Sequence, residues 1–505
     1  MHRFNINSAF RRVHYALAVS AGLMLAAPVT ALAAPDVITQ MPLDIPRSAA
    51  TKVGVYIADL QTGEQLYNVN TSKLYIPASV TKALTSASAL TNLSASHRFA
   101  TEIVAHGRIR DGVLKGNLEV RCVGDPTIDS EHFDSTSGFA DSIAAAVSAC
   151  GIRQIDGTVV IDESFIPADG VPSGWVDEDI VWPYGTGHHG ANYRDNKFIM
   201  AFPSQTSTPH VPDIRVAHTP GKGSLQVDRD RGSEILRTKG AVRSRGQSVE
   251  LSTPVPSKVM RHAVIKALNS RGVSVGNTSF EKPKDEEQLI YIHYSPELIE
   301  ILRSLMFRSD NMMAEGMLRT LSPGATRSEA VRSEMDMWEL RNISTDGIVI
   351  EDGSGLSRND RMSPEFLANV LTWMASHVKA SDFVSLFPKA GMEGTMKNFL
   401  RDTPLEGRVA FKTGSMKGVQ SYAGYLLADD GLPSHVVVVM VNGFSCSRAK
   451  LKEEIENMLL RTFAPDFERP KPQPPKKRQT VAKAKKSAKA HKAKSSSTRK
   501  RSRRK

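Results

Sequence analysis

Three short motifs, far apart along the 505-residue chain, constrain its fold more than any other feature. Ser79 and Lys82 form the first, Ser309 and Asn311 form the second, and a Lys-Thr-Gly triplet starts at Lys412. The two motif serines are 230 positions apart. A fold that unites these residues must bring three distant segments to one place and carry a long insertion between the first two.

The first two motifs also occur by chance elsewhere, and none of the three identifies a site alone. The serine–lysine spacing is repeated at Ser376–Lys379 and Ser497–Lys500, and the serine–asparagine spacing at Ser357–Asn359. The order of the motifs, their spacing and the local structure predicted around each one favour the set that begins at Ser79.

The first motif contains what a serine nucleophile needs. Pro77 precedes Ser79, and the small residues and leucines that follow predict a helix that starts near Ser79. Lys82 then lies on the same helical face as Ser79. Burial lowers the pKa of a lysine, and the neutral amine can act as general base for a serine hydroxyl. A solvated lysine on an ordinary helix is the alternative for this motif alone.

The second motif is predicted at the end of a helix. Apolar residues from Leu298 to Met306 recur at helical spacing, and Ser295–Glu297 has the composition of a helix start. Ser309 and Asn311 then fall on the loop before a second helix. A serine hydroxyl can relay a proton to a leaving group, and a side-chain amide can donate to and accept from a peptide backbone. An ordinary polar turn is the alternative.

The third motif lies in a segment with the composition of a β-strand. A glycine inside a strand often marks a close approach to the backbone, which makes Gly414 a candidate for substrate binding. The backbone N–H of Ser415 can pair with that of Ser79 as an oxyanion hole. Lys412 and Thr413 supply the positive charge and the hydroxyl that can hold a substrate carboxylate.

With these motifs the chain resembles the class C, low-molecular-mass penicillin-binding proteins, which act as D-alanyl-D-alanine carboxypeptidases and endopeptidases. Three further segments are similar to family signatures: Gly124–Thr127, Gly151–Gly157 and Asp352–Arg358. The resemblance extends from about Pro42 to Phe463. Arg121–Val123 departs from the family, which tends to have glycines there, and this departure leaves the three motifs intact.

The resemblance implies an α/β (α+β) fold: a penicillin-binding-protein/β-lactamase-like serine transferase domain, with an antiparallel sheet flanked by helices and a large β-rich insertion between the first and second motifs. It also implies a serine DD-peptidase that acts on peptidoglycan stem peptides, cleaves D-Ala-D-Ala through an acyl-enzyme and is inhibited covalently by β-lactams. No metal or organic cofactor is expected. The implied catalytic residues are Ser79, Lys82, Ser309 and Lys412, and the implied substrate-binding residues are Asn311, Thr413, Gly414 and Ser415.

Two other functions stay open. A β-lactamase or esterase on the same fold would share the motifs, and a non-enzymatic envelope-binding protein would use the body as a scaffold. A scaffold has no physical need for a lysine beside a serine, which argues against the second alternative. No E-x-x-L-N element, the place of the deacylating glutamate in class A β-lactamases, follows Ser309. Slow release of β-lactams is therefore expected.

The chain is long enough for two to three domains. After Arg98 the pattern changes to short strands and turns rich in glycine, proline and aspartate, which predicts a β-rich insertion. The predicted divisions are a signal peptide at 1–33, the first part of the catalytic domain at 34–97, the inserted region at 98–284 with a second module nested near 202–247, the second part of the catalytic domain at 285–465, and a disordered basic tail at 466–505.

Residues 1–33 have the features of a secretory signal: arginines, then an apolar core from Tyr15 to Ala27, then a small-residue cleavage site that ends at Ala33. They predict export to the periplasm or cell envelope after cleavage near Ala33. An uncleaved anchor is the lesser alternative, because the apolar core is short for a membrane span.

An exported compartment is oxidising, so the three cysteines can form one disulfide. Cys122 and Cys150 both lie in the insertion and can pair, which would leave Cys446 over. His188 and His189 are expected to be loop residues rather than metal ligands, because no third ligand is evident.

The net charge of +12 is concentrated at the ends of the chain. Residues 470–505 contain 16 lysines and arginines and no acids, and three arginines lie within 1–33, so the residues between carry a net charge of −7. The tail lacks the apolar residues needed to fold. Behind a signal peptide, its expected partners are anionic lipids, lipopolysaccharide or other wall polymers rather than nucleic acid. A non-specific solvated tail is the alternative.

Overall fold

The computed structural model describes residues 37–243, 245–281 and 286–469. The predicted signal peptide and the tail from Pro470 lie outside the described residues. Within the described ranges, no helix combines the length and the apolar character that crossing a membrane requires.

The chain runs through three segments, and the first and last of them build the catalytic half. The segment before the insertion contains β1 (Lys52–Asp59), β2 (Gln65–Val69), a 3-10 turn (Ala78–Val80) and α1 (Thr81–Asn92).

The inserted segment contains most of the strands. They and its two helices are β3 (Ala100–Arg110), β4 (Val113–Arg121), α2 (Phe139–Ala149), β5 (Gln154–Ile155), β6 (Val159–Asp162), β7 (Lys197–Phe202), β8 (Thr206–Thr208), β9 (Arg215–Pro220), β10 (Gln226–Asp228), β11 (Ile235–Gly240), β12 (Gln247–Ser252), α3 (Pro256–Ser270), β13 (Ser274–Val275) and β14 (Glu287–Tyr294).

The last segment returns to the central sheet. Its elements are α4 (Leu298–Arg308), α5 (Asn311–Arg319), α6 (Arg327–Glu339), α7 (Pro364–Ser376), α8 (Ala380–Ser385), β15 (Val409–Met416), β16 (Val419–Leu427), β17 (Pro433–Asn442) and α9 (Arg448–Phe463).

The central sheet has the strand order β15-β16-β17-β1-β2, and all neighbouring pairs are antiparallel. The predicted antiparallel sheet is confirmed, and β1–β2 and β16–β17 are hairpins within it. Strand β1 joins the two halves of the chain, since Val55 pairs with Val439 on one side and with Val69 on the other. Strand β15, which carries the third motif, lies at an edge of the sheet.

Both faces of the central sheet are buried. On β17, Val436 and Val438 belong to one hydrophobic core together with residues of α1, α4, α5, α7 and α8, whereas Val437 and Val439 belong to a second core together with residues of α9 and the N-terminal segment. All four are fully buried. Alternate residues of a strand face opposite sides, so burial on both faces explains the uninterrupted run of valines. The sheet is thus a rigid support for the edge strand β15.

The insertion has its own hydrophobic core between a six-stranded sheet and the helices α2 and α3. Two three-stranded sheets, β12-β7-β8 and β10-β11-β9, complete it, and the predicted β-rich character is confirmed. Strands β8 to β11 lie within the module predicted near 202–247. The inserted sheet extends beyond the boundary predicted at 284, because β14 pairs with β3 up to Tyr294.

The two predicted helix starts are each shifted by a few residues. Ser79 lies in the 3-10 turn, and α1 begins at Thr81. Helix α4 is capped by Glu297 and not by Ser295, because Glu297 and Glu300 form the two reciprocal hydrogen bonds of a capping box.

The cysteine pairing considered from the sequence is absent. All three thiols are free. Cys122 is buried in the core of the insertion, where its Sγ lies 3.9 Å from the Sδ of Met260, whereas Cys150 is exposed after α2. One thiol faces a packed core and the other faces solvent, so they do not meet.

Candidate active site

Ser79 lies on a strained turn between the central sheet and α1. The preceding residue, Ala78, has a φ of +52°, which is unfavourable for a residue with a side chain. The Thr81 hydroxyl donates to the Ala78 carbonyl at 3.0 Å. Gly355 packs on the same carbonyl, and a Cβ at Gly355 would lie 2.1 Å from that oxygen. The turn is therefore held by its own helix and by the loop that contains Gly355.

The Lys82 side chain is fully buried and has three oxygen neighbours. Its Nζ lies 3.1 Å from Ser79 Oγ, 2.6 Å from Asn311 Oδ1 and 2.6 Å from the carbonyl oxygen of Ser354. Burial lowers the pKa of Lys82 to about 8, although nearby carboxylates, with Asp352 first among them, act to raise it. The predicted pairing of Ser79 with a buried lysine is present in the structure.

A second serine–lysine pair lies beside the first. Ser309 ends α4 in the left-handed conformation, with a φ of +61°. The Nζ of Lys412 lies 2.9 Å from Ser309 Oγ and 2.8 Å from the Thr413 carbonyl. Burial lowers the pKa of Lys412 well below its usual value, and the charge of Lys82 lowers it further. The structure thus brings the second and third motifs into direct contact.

Asn311 connects the first motif to the insertion. Its Oδ1 accepts from Lys82, and its Nδ2 donates to the backbone carbonyl of Tyr184 at 2.6 Å. Tyr184 belongs to the 3-10 turn Pro183–Gly185 of the inserted region. Asp310 caps α5, because its side-chain Oδ1 accepts from the Met313 N–H in the first turn. The amide orientation of Asn311 is therefore held from two sides.

The open edge of β15 faces the nucleophile. Val409 and Phe411 use their backbone groups for hydrogen bonds outside the sheet. By the alternation of an antiparallel ladder, Thr413 and Ser415 also direct their N–H and C=O groups away from β16. The Ser415 N–H therefore lies on the edge where an oxyanion hole is expected.

Gly414 is the point where β15 approaches the turn that contains Ser79. A Cβ at Gly414 would lie 2.7 Å from the Pro77 carbonyl oxygen and 3.1 Å from the backbone nitrogens of Ser79 and Val80. The sequence predicted a close approach to a ligand at this glycine. The structure shows that the approaching group is the protein's own nucleophile turn.

Asp352, which the sequence singled out only as part of a family signature, organises the loop beside Lys82. It is fully buried. Its Oδ1 accepts from the N–H groups of Ser354 and Gly355 at 3.0 and 2.5 Å, and its Oδ2 accepts from the N–H of Ser357 at 2.7 Å. A carboxylate followed by alternating glycines is a signal for a tight turn. That signal could have located the loop but not its contact with Lys82.

The chance copies of the motifs have other roles. Lys379 Nζ donates to the carbonyls of Leu90 and Leu93 at 2.5 and 2.8 Å and so closes the C-terminal end of α1. Ser357 donates through its hydroxyl to Glu351 at 2.7 Å. Ser497–Lys500 lies outside the described residues.

The paired histidines lie in a loop, where His188 is buried and His189 is half-buried. Burial lowers the pKa of His188 to about 3 and that of His189 to about 4, so both imidazoles are neutral. A group of three potential metal ligands occurs elsewhere in the described part of the chain, at Glu131, His132 and Asp195. Lys197 Nζ lies 2.5 Å from the Glu131 carboxylate, so one of the three potential ligands is already paired with an ammonium group.

Residues 36–463 match the model of the D-Ala-D-Ala carboxypeptidase 3 (S13) family. The chain belongs to this family. Membership confirms the predicted class, and the protein is a serine-type D-Ala-D-Ala carboxypeptidase, a hydrolase.

Several relatives are similar over most of the family region. The D-alanyl-D-alanine carboxypeptidase of Actinomadura sp. (strain R39) is 28% identical over 431 residues, which cover 77% of this chain and 78% of the relative. D-alanyl-D-alanine carboxypeptidase DacB of Haemophilus influenzae is 26% identical over 423 residues, 78% of this chain and 86% of the relative. The crystal structure of penicillin-binding protein 4 (dacB) from H. influenzae matches with a TM-score of 0.72 at 23% identity, over 84% of this chain and 98% of that one. This match confirms the predicted fold.

Gly414→Ala is expected to slow the labelling of the protein by fluorescent penicillin about tenfold or more, because the added methyl group pushes β15 away from the Ser79 turn. Gly221→Ala is a matched control, since its nearest neighbours are 3.5 Å from the new Cβ. Labelling time courses, with circular dichroism to verify folding, measure the effect. Equal labelling rates for the two variants would contradict the expectation.

Proposed function

We propose that the protein hydrolyses the terminal D-Ala-D-Ala bond of peptidoglycan stem peptides, and D-Ala cross-links between stems, through an acyl-enzyme on Ser79. The observation that carries the proposal is the pairing of each motif serine with a buried lysine. Lys82 Nζ lies 3.1 Å from Ser79 Oγ, and Lys412 Nζ lies 2.9 Å from Ser309 Oγ.

The hydrogen-bond arrangement supports Lys82 as the general base. A neutral lysine amine has two N–H groups and one lone pair. Its two shorter contacts, 2.6 Å each, are with Asn311 Oδ1 and the Ser354 carbonyl, which can only accept. The lone pair is then left for the Ser79 hydroxyl. With a pKa of about 8, roughly a tenth of Lys82 is neutral at pH 7, against roughly 0.04% for an unperturbed lysine.

In the proposed acylation, Ser79 Oγ attacks the carbonyl carbon of the penultimate D-alanine, and its proton passes to Lys82. The backbone N–H groups of Ser79 and Ser415 stabilise the oxyanion, which the open edge of β15 supports. The Thr413 hydroxyl holds the terminal carboxylate of the substrate, and this anion in turn favours the protonated form of Lys412 beside it. Gly414 allows this strand to lie against the nucleophile.

The leaving group requires a proton from the other side of the site. In the proposal, Ser309 gives its hydroxyl proton to the departing D-alanine amine as the C–N bond breaks, and it regains a proton from Lys412 through their 2.9 Å contact. The proton that Lys82 took from Ser79 then replaces the one that Lys412 gave up. The second N–H of the Asn311 amide remains available for the substrate backbone. Water then attacks the ester and releases the shortened peptide.

The same acylation applies to β-lactams, and the surroundings of Ser79 support slow release of that adduct. Glu315, the first acid after Asn311, is fully buried. It accepts from the Gly353 N–H and the Arg327 Nε, each at 3.0 Å. Because both of its oxygens are engaged in the fold, Glu315 is not placed to activate water at Ser79. This favours a DD-peptidase over a β-lactamase or an esterase.

Penicillin is expected to form a stable covalent adduct on Ser79, because the site has a serine–lysine pair and, among the residues that the structure describes, no carboxylate is hydrogen-bonded to either member of the pair. Intact-mass measurement followed by peptide mapping locates the adduct. Ser79→Ala should abolish it, and Ser376→Ala, the matched change at a chance motif, should not.

Digestion of purified muropeptides by the wild-type protein distinguishes carboxypeptidase activity from endopeptidase activity. Loss of terminal D-alanine reports carboxypeptidase activity, and conversion of cross-linked dimers to monomers reports endopeptidase activity. Rapid nitrocefin turnover would indicate a β-lactamase, and an adduct that persists in Ser79→Ala would overturn the assignment of the nucleophile.

The acylation rate is expected to rise with pH up to about 8 and then level off, because loss of the proton from Lys82 creates the base. Below that pH the rate should change about tenfold per pH unit. Lys82→Ala should lower the rate by about 10² to 10⁴ without unfolding the protein, whereas Lys266→Ala, at an exposed position of α3, should change nothing. Stopped-flow acylation between pH 6 and 10 measures both. A flat profile, or near-normal acylation by Lys82→Ala, would refute the role of Lys82.

We also propose that residues 470–505 attach the exported enzyme to anionic lipids or wall polymers. Support comes from the concentration of 16 cationic side chains and no acids in this stretch, whereas the residues between it and the predicted signal peptide carry a net charge of −7. Each basic side chain close to an anionic membrane contributes about 1 kcal/mol to the binding free energy, so a few contacts give measurable binding.

Deletion of residues 470–505 is expected to leave turnover of a soluble peptide unchanged and to abolish salt-sensitive binding to anionic vesicles and purified sacculi. Exposed charges are screened over about 10 Å at 0.1 M salt, so binding of the full chain must weaken as salt rises. A tail of equal length with every lysine and arginine replaced by glutamine is the matched control for charge. Equal, salt-independent binding of all three forms in co-sedimentation would disprove the attachment role.

A further inference from the structure

The inserted region contacts the catalytic half beside the base. Trp175 is 2% exposed, and its Nε1–H donates to Asp352 Oδ2 at 2.6 Å. The neighbouring Gly174 is pressed against the same loop, since a Cβ there would lie 1.9 Å from Glu351 Oε2 and 2.5 Å from Ser357 Oγ. The indole group therefore reaches a carboxylate that is otherwise enclosed by its own loop.

Trp175 completes the hydrogen bonding of Asp352. The other three donors to this carboxylate are backbone N–H groups of the loop itself, at Ser354, Gly355 and Ser357. A carboxylate has about four acceptor positions, and the indole N–H occupies one of them. Trp175 is thus the side-chain donor that fixes Asp352 relative to the rest of the protein.

The loop in turn holds Lys82. The Ser354 N–H binds Asp352, and the Ser354 carbonyl accepts from Lys82 Nζ at 2.6 Å. The adjacent Gly353 carbonyl accepts from the Thr85 hydroxyl on α1 at 2.7 Å, which docks the loop on the helix of the nucleophile. One continuous set of hydrogen bonds therefore runs from the inserted region to the amine beside Ser79.

We propose that Trp175 is a positioning residue for Lys82, and that it acts through Asp352 and the Ser354 carbonyl. The proposal rests on the function proposed above, in which Lys82 is the base. With the Ser354 carbonyl in place, one N–H of the neutral amine is directed away from Ser79 and the lone pair is aimed at the hydroxyl. Loss of the indole N–H frees Asp352 to turn, and the carbonyl turns with its loop.

A purely structural role for Trp175 predicts a different result. The buried ring joins the two halves of the protein, so its removal would lower stability whatever its effect on Lys82. Trp175→Phe keeps an aromatic ring and deletes the N–H donor, which separates the two roles. Trp182→Phe is the matched control, because Trp182 lies in the same inserted segment and packs against the core of the insertion.

A pH profile adds a readout that stability does not affect. The charged groups that act on Lys82 are Asp352, Asp310, Glu315 and Asp360, all of which raise its pKa. The neighbouring Lys412 is opposite in sign to these four carboxylates. If Asp352 turns away, its contribution weakens, the pKa of Lys82 falls, and the rising limb of the acylation profile moves to lower pH.

Single-turnover acylation by fluorescent penicillin is measured across pH for the wild type, Trp175→Phe and Trp182→Phe. For Trp175→Phe we expect the limiting acylation rate to fall about tenfold or more, whereas the penicillin Kd should stay within about threefold of the wild-type value. The midpoint of the pH profile of acylation should move to lower pH. Trp182→Phe should match the wild type. In Asp352→Asn, adding Trp175→Phe should cause little further loss, because residues that act as a unit are not additive.

Normal rate and midpoint in Trp175→Phe would overturn the positioning role, even if its melting temperature falls. If that variant does not fold, Gly174→Ala displaces the same segment, with Gly221→Ala as its control, and the same criteria apply. The proposed function is tested separately: a wild type that is not acylated on Ser79, or whose acylation does not depend on Lys82, refutes that function and not merely the inference about Trp175.

Discussion

The burial of one amine is the constraint on which the rest of the structure depends. Lys82 is enclosed, and its three direct neighbours are neutral oxygens rather than carboxylates. A buried charge without a directly bonded partner is costly, so this environment favours the neutral amine. Carboxylates act on Lys82 from further away and limit the fall in its pKa. The site thus keeps a lysine that can change its protonation state near neutral pH.

The surrounding architecture supplies those oxygens from separate parts of the chain. Asn311 comes from the start of α5 and Ser354 from the loop before α7, while the opposite wall is the edge of β15. Around the two motif serines, the backbone is strained at Ala78 and at Ser309, where φ is positive. Such conformations cost about 1 to 3 kcal/mol each and persist where packing determines them. In this protein the central sheet, which is buried on both faces, and its covering helices provide that packing.

Much of this arrangement was predictable because it depends on local pattern. The hairpins at β1–β2 and β16–β17, the helix before Ser309 and the β-rich character of the insertion follow from alternation, helical spacing and turn residues. The choice of Glu297 over Ser295 as the N-cap of α4 was not predicted, because a capping box is decided by which of several polar residues reaches the first turn. The separation of Cys122 from Cys150 depends on which thiol enters the core of the insertion.

The sequence by itself determined the chemical inventory: a serine and a lysine on one helical face, a second serine at a helix end, and a glycine-containing strand. The tertiary structure decided how these groups are used, because the atoms that orient Lys82 include the backbone carbonyl of Ser354, and the atom that orients Asn311 is the carbonyl of Tyr184. Every residue has a carbonyl, so the sequence contains no mark of which ones will meet a side chain. Asp352 and Trp175 are 177 positions apart, and only the packing of the insertion against the catalytic half brings them together.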